Sequence, residues 1–190
     1  MQDIDILFDP AEDGVEKPTL LGTFPAHITG FKEGNKSRGS IPYNVTFKIA
    51  PEAESLKGVN WKQPTKEEPN GSEVDADYMV GREVRSVGIW LNPTPKPEER
   101  WKNRSYANFL EAIGIKLKET VVDGKTLQKL VTLEENETIG LPCLITIKLE
   151  ADKREGMTDR KYPKVFTVQS WDDGERIDVT EDEEDPFATD

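Results

Sequence analysis

Two clusters of cations stand out among the side chains of this chain that are able to do chemistry. Lys32, Lys36 and Arg38 lie within residues 31–40 among Gly34, Ser37, Gly39 and Ser40, a stretch too polar to bury and too glycine-rich for a helix. Lys153, Arg154, Arg160 and Lys161 lie within residues 150–163 beside Gly156 and Tyr162, interleaved with Glu150, Asp152, Glu155 and Asp159, so local ion pairs compete there with any external anion. Lys48, with Thr29, Asn44 and Thr46, adds a polar strand face. Aromatic rings accompany the cations: Tyr43, Trp90, and Trp61 next to Lys62 in a polar stretch, where the indole either stacks on a ligand or caps a hydrophobic edge. Cations that track a phosphate backbone and flat rings that stack on bases are what sequence-independent binding of a single strand requires, because every nucleotide has a phosphate and every base a π-face.

Other chemistry is thinly represented. His27 and Cys143 are the single histidine and the single cysteine, in strand patterns far apart, so neither a His/Cys metal cluster nor a Cys–His nucleophile is expected. Asp75-Ala76-Asp77 offers carboxylates for Mg²⁺, although acids spaced by one residue in a loop are usually only solvated. Neither a G-x-x-x-x-G-K-[ST] phosphate loop nor a G-x-S-x-G elbow occurs. The expectation is a binding protein without catalytic residues, metal or cofactor.

The elements that position these residues read as mainly β. Leu20, Gly22, Phe24, Ala26 and Ile28 alternate with more polar neighbours, and Tyr43, Val45, Phe47 and Ile49 do so again, predicting a hairpin over residues 20–50 with the first basic segment as its loop. Residues 51–77 read as a long polar connection. A third strand is expected over 82–91. Pro97, Glu98 and Glu99 suit a helix N-terminus, Trp101, Tyr106, Phe109, Leu110 and Ile113 fall near helical spacing as a core-facing stripe, and Gly114 ends the helix. Asp123-Gly124 marks a small hairpin within 115–140. Strands over 141–149 and 165–171 close the body, joined by the second basic loop. This order, three strands, a helix and two strands, is that of a five-stranded OB-fold barrel, which binds oligonucleotides on strands 2 and 3 and the loops joining strands 1 to 2 and 4 to 5.

Composition fits one such domain. Of 190 residues, 35% are hydrophobic, and 13 prolines and 14 glycines favour a loop-rich β protein. No apolar run approaches the roughly 18 residues of a membrane span, and Asp3, Asp5 and Asp9 stand where a signal peptide would be basic. The chain therefore reads as soluble and cytoplasmic, with no membrane partner. Its net charge of −12 is unevenly placed: residues 1–17 carry −5 and residues 172–190 carry −9, which leaves +2 for residues 18–171. We read an acidic flexible arm, a near-neutral body and an acidic disordered tail.

With Gly22-Thr23-Phe24-Pro25-Ala26, the helix from Trp101 to Gly114, the strand from Leu141 to Leu149 and the acidic tail taken in that order, the chain resembles phage-encoded single-stranded DNA-binding proteins. The resemblance implies an OB fold, sequence-independent protection of single-stranded DNA in replication or recombination, and a tail that recruits partner proteins through acids and a phenylalanine. Here the matching residues are Asp182, Glu183, Glu184, Asp185 and Phe187, followed by Ala188-Thr189-Asp190. Two other classes remain open: an OB-like adaptor or virion component without nucleic acid, and a Mg²⁺-dependent nuclease.

Overall fold

The alternation read in residues 20–50 folds into two long antiparallel strands, β1 (Gly22–Glu33) and β2 (Ile41–Ile49), paired from Ala26↔Ile49 to Glu33↔Tyr43. The structure, a computed structural model, describes residues 17–154, 156–157 and 160–179. β1 runs past Thr29, where the alternation stops, because the register shifts between Ile28 and Gly30. The extra residue of such a bulge changes the parity of the strand. Phe24, Ala26 and Ile28 before it and Phe31 after it therefore all face inward, against Tyr43, Val45, Phe47 and Ile49 of β2. Each large side chain buried this way contributes about 1.5–3 kcal/mol.

Residues 51–77 are more ordered than their composition suggests. Short strands β3 (Lys57–Asn60) and β4 (Ser72–Asp75) form a hairpin between 3-10 turns at Pro51–Ser55 and Asp77–Met79. It is fastened to the start of the main sheet by paired backbone bonds between Leu21 and Val59.

The third expected strand is two short ones, β5 (Glu83–Arg85) and β6 (Ile89–Leu91), both on β2. Between them the Ser86 hydroxyl oxygen accepts from the backbone N–H of Val45 at 3.2 Å and of Gly88 at 3.3 Å, and Gly88 adopts φ +100°. The expected helix is likewise divided, into a 3-10 segment Pro97–Asn103 and α1 (Arg104–Ala112). Asn103 pins the junction by exchanging hydrogen bonds with the backbone of Asn92, at 2.7 and 2.9 Å. Tyr106, Phe109, Leu110 and Ile113 are buried as the spacing predicts, whereas Trp101 is 67% exposed. A 3-10 segment turns every three residues rather than 3.6, which takes Trp101 out of phase with the core stripe of α1.

β7 (Lys118–Val122) and β8 (Lys125–Lys129) form the Asp123-Gly124 hairpin, with φ +53° and +74° at the turn, and project almost wholly into solvent. A single helical turn, α2 (Glu135–Thr138), precedes β9 (Pro142–Ala151) and β10 (Lys161–Gln169).

The main sheet has the order β10-β9-β1-β2-β5, with β6 also on β2. It curls like a half barrel, and one local contact links its two sides: Ser86, between β5 and β6, bridges Val165 of β10 in parallel, and Val87 N–H donates to the Val165 carbonyl at 3.1 Å. The core is closed by stacked rings, Phe31 on Tyr43 (4.8 Å), Phe31 on Phe109 (6.0 Å) and Tyr43 on Tyr106 (5.4 Å). Cys143 is fully buried, and the loss of solvent pushes its thiol up to about 12.

Residues beyond the boundary expected at 171 also contact the body. Trp171 packs on His27 at 5.5 Å, the His27 ring contacts the Glu175 carbonyl at 3.0 Å, and Ile177 N–H donates to Gly140 O at 3.0 Å. Arg176 donates to the carbonyls of Asn136 and Ile139 at 2.9 and 3.0 Å. Residues 171–177 thus lie along the body, anchored by backbone contacts that composition does not reveal. Among the described residues no helix is long and apolar enough to cross a membrane.

Candidate nucleic-acid interface

Register decides which side chains share the solvent side of the curled sheet. Residues paired across strands point to the same face, so Trp90 beside Pro42, Lys32 beside Asn44, Arg85 beside Thr46 and Glu83 beside Lys48 form one continuous surface over β1, β2, β5 and β6. Because the Ser86–Val165 contact links the two sides of the sheet, Lys164 of β10 joins this surface. Lys32, Arg85 and Lys164, from three strands, line one concavity of about 560 Å³ with Asn44 and Thr46. Its acids are Glu83, which accepts from the Thr29 hydroxyl at 3.3 Å, and Glu135. Arg85 and Lys164 are functional candidates that carry no local signal in the sequence, Arg85 lying inside the third expected strand and Lys164 one residue past the basic segment 150–163.

The first basic loop is as exposed as expected. Ser37 and Ser40 exchange backbone hydrogen bonds at 2.9 Å and Arg38 takes φ +50°, so Lys36 and Arg38 ride on a tight turn beyond the end of β1. Among the described residues no salt bridge holds Lys32, Lys36, Arg38 or Lys48.

The second basic loop differs. Lys153 is paired with Glu150 at 2.8 Å, and the Arg154 guanidinium forks onto Asp152, with Nη2 at 2.6 Å and Nε at 3.0 and 3.1 Å from the two carboxylate oxygens. Those hydrogen bonds hold the Asp152 carboxyl down at about 2 and raise Arg154. Backbone bonds from Asp152 to Arg160 and from Arg160 to Met157 complete the turn. Arg160, Lys161 and Tyr162 are exposed, with Tyr162 beside the Arg154 pair.

The aromatic candidates divide three ways. Tyr43 is 3% exposed between Phe31 and Tyr106 and is a core residue, so it is withdrawn as a stacking platform: its strand parity places it inward. Trp61 is half-buried and donates from Nε1 to the Thr19 carbonyl at 3.1 Å, which makes it the cap of a hydrophobic edge, with the Lys62 ammonium 5.7 Å from its ring centre. Trp90 and Tyr162, each 41% exposed, present rings to solvent.

Asp75 pairs across the β3–β4 hairpin with Lys57, and Asp77 accepts from its neighbour's N–H at 2.7 Å. Among the described residues no three His, Cys, Asp or Glu side chains are grouped to hold a metal ion. Asp182, Glu183, Glu184, Asp185 and Phe187, and nearly all of the N-terminal arm, lie outside the described residues. In comparison with known proteins, no family model, no curated protein and no solved structure matches this chain.

Proposed function

We propose that this chain binds single-stranded DNA without marked sequence preference, on an OB-fold barrel made of β1, β2, the β5–β6 pair, β9 and β10. The reading is supported by the sheet order, by α1 falling in sequence between the third and fourth of those strands, and by the Ser86–Val165 contact between the sheet's two sides. One observation carries the functional part: Lys32, Arg85 and Lys164 converge from three strands on one outer concavity, beside amide and hydroxyl groups and in register with the exposed ring of Trp90. Cations in a groove with an aromatic on the same face suit a phosphate backbone whose bases are free to stack. The resemblance read in the sequence to phage-encoded single-stranded DNA-binding proteins supports a role in DNA replication or recombination, with the acidic tail as the partner-recruiting segment.

Titration of fluorescent oligo(dT) and of two mixed-sequence strands at increasing salt tests the proposal. Affinity is expected to fall steeply, with a log-log slope of about −0.7 per phosphate neutralised, and to be similar for all three strands. Absence of binding at low salt would favour the adaptor reading. Equal affinity for duplex would reduce the protein to a generic polycation. Incubation with Mg²⁺ is expected to leave the strands intact, and cleavage abolished by Asp75→Asn would replace this reading with the nuclease.

A further inference from the structure

The outer face of the sheet is not the surface with the least negative charge. A larger concavity of about 860 Å³ lies between α1 and β10, lined by Lys102 and Arg104 and, among the described residues, by no carboxylate. A second, of about 610 Å³, lies on the other side of Trp101 toward β8, with Arg100, Arg104 and Lys129 and again no carboxylate among the described residues. The chain as a whole has 37 acids against 25 basic residues, and the concavity on the sheet face contains two glutamates. Glu99 at Lys102 and Glu111 at Gln128 stand at the margins of these grooves, and Arg100, Arg104 and Lys129 on their walls supply the positive charge that attracts a polyanion.

Trp101 is the ridge between these grooves, 67% exposed, and Phe166, 41% exposed, stands on the β10 wall. Large aromatic rings left in water at a positively charged groove are placed to stack on bases. Lys102 is engaged by Glu99 at 2.6 Å, so the guanidinium groups of Arg104 and Arg100 are the principal phosphate partners. Ser105, Asn108 and Gln169 add hydrogen-bonding groups along the walls.

This groove and the sheet-face concavity adjoin at Ser86. Ser86 lines both, Lys164 lines one and its neighbour Val165 the other, so the Ser86–Val165 contact is the saddle between them. We propose that a single strand of DNA crosses this saddle, leaving the Lys32, Arg85 and Lys164 face to enter the α1–β10 groove, where Trp101 and Phe166 stack on bases and Arg104 and Arg100 hold phosphates. The inference rests on the proposed function for its ligand. It adds a second segment of binding surface on the helix side of the molecule.

The test uses the full chain with oligo(dT) of about 30 nucleotides, a length chosen to exceed the few nucleotides to about 16 that one OB fold covers. Trp101→Ala and Phe166→Ala are each expected to weaken binding about tenfold, within the range measured for loss of one base-stacking aromatic, while Trp101→Phe keeps most of the affinity. Trp101 is 67% exposed, so its alanine variant is expected to leave the unfolding temperature unchanged, whereas replacing Phe166, 41% exposed, by alanine is expected to lower it modestly. Photo-crosslinking to 5-iododeoxyuridine strands is expected to label Trp101 or Phe166. If the alanine variants bind as the parent does and no crosslink maps to this groove, while Lys32→Glu with Lys164→Glu still weakens binding, the inference is overturned and the proposed function stands. If the parent chain binds no oligo(dT) at low salt, both are overturned.

Discussion

The two basic loops hold similar numbers of cations, three and four, but differ in how many of them are free to meet a ligand. Lys36 and Arg38 sit on a turn closed by two serines, and no described carboxylate is paired with them. In the other loop Glu150 and Asp152 fall two or three residues from Lys153 and Arg154 and are already bonded to them. An external phosphate must displace an existing partner at Lys153 and Arg154 but only water at Lys36 and Arg38. Exposed pairs add little stability, yet they lower the number of cations a ligand can recruit. Counting lysines and arginines therefore overstates the second loop and, by stopping at its last residue, misses Lys164 on the adjoining strand.

The sharpest contrast is between two tyrosines that sequence reading treats alike. Tyr43→Ala is expected to destabilise the fold by about 3–5 kcal/mol in urea unfolding, the range for removing a buried aromatic. Tyr162→Ala is expected to change stability by less than about 0.5 kcal/mol while weakening DNA binding. Equal stability losses would break the assignment of one ring to the core and the other to the surface.

Next in size is the difference in available charge. Lys36→Ala with Arg38→Ala is expected to reduce the magnitude of the salt slope by about 1.4, two contacts at about 0.7 each, whereas Arg154→Ala is expected to leave it nearly unchanged. Asp152→Asn is expected to release Arg154 and tighten binding at low salt. A larger loss from Arg154→Ala than from the first-loop pair would reverse the ranking of the loops.

The acidic C-terminal residues sharpen the same electrostatic comparison. Tethered negative charge competes with DNA for nearby cations at high effective concentration, so removing residues 180–190 is expected to tighten binding at low salt and to have little effect once the charges are screened. Removing residues 172–190 also deletes the Arg176 and Ile177 contacts, and is expected to lower the unfolding temperature as well. Unchanged low-salt affinity after the shorter deletion would end the competition account.

The smallest effect is the pH response of the locked loop. Asp152 titrates at about 2 in the folded protein against an ordinary 3.8, its charged form being held by the Arg154 hydrogen bonds. A lowered carboxyl contributes its stabilisation in full above its unfolded value and loses it as pH falls through the folded one. The contribution of the pair to stability is therefore expected to be whole above about pH 4 and to decline below it, while the Asp152 carboxyl itself stays ionised and paired until it protonates near pH 2, as followed by carboxyl NMR. Cys143 provides a control from the core: with its thiol at about 12, it is expected to resist alkylation at pH 8 until the protein unfolds.

Local pattern by itself determined much of the architecture. Period-two alternation specified β2, β9 and most of β1 because one face of each is buried. Asp123-Gly124 specified its hairpin because only a few residues tolerate the required positive φ, and Tyr106, Phe109 and Leu110 specified the buried stripe of α1. The uneven charge distribution was legible in the same way, since charge is a property of the residues themselves. Tertiary structure alone decided what depends on partners remote in sequence. The bulge at Thr29 carried β1 beyond its apparent end, Leu21 and Val59 recruited the β3–β4 hairpin, and Gly140 received Ile177. The 3-10 start of the helix turned Trp101 out to solvent, and the meeting of Ser86 with Val165 brought Lys164 beside Arg85. Alternation reports which face of a segment is apolar, but it does not report which other segment lies against that face. Groove-forming contacts between residues about eighty positions apart therefore leave no local signal.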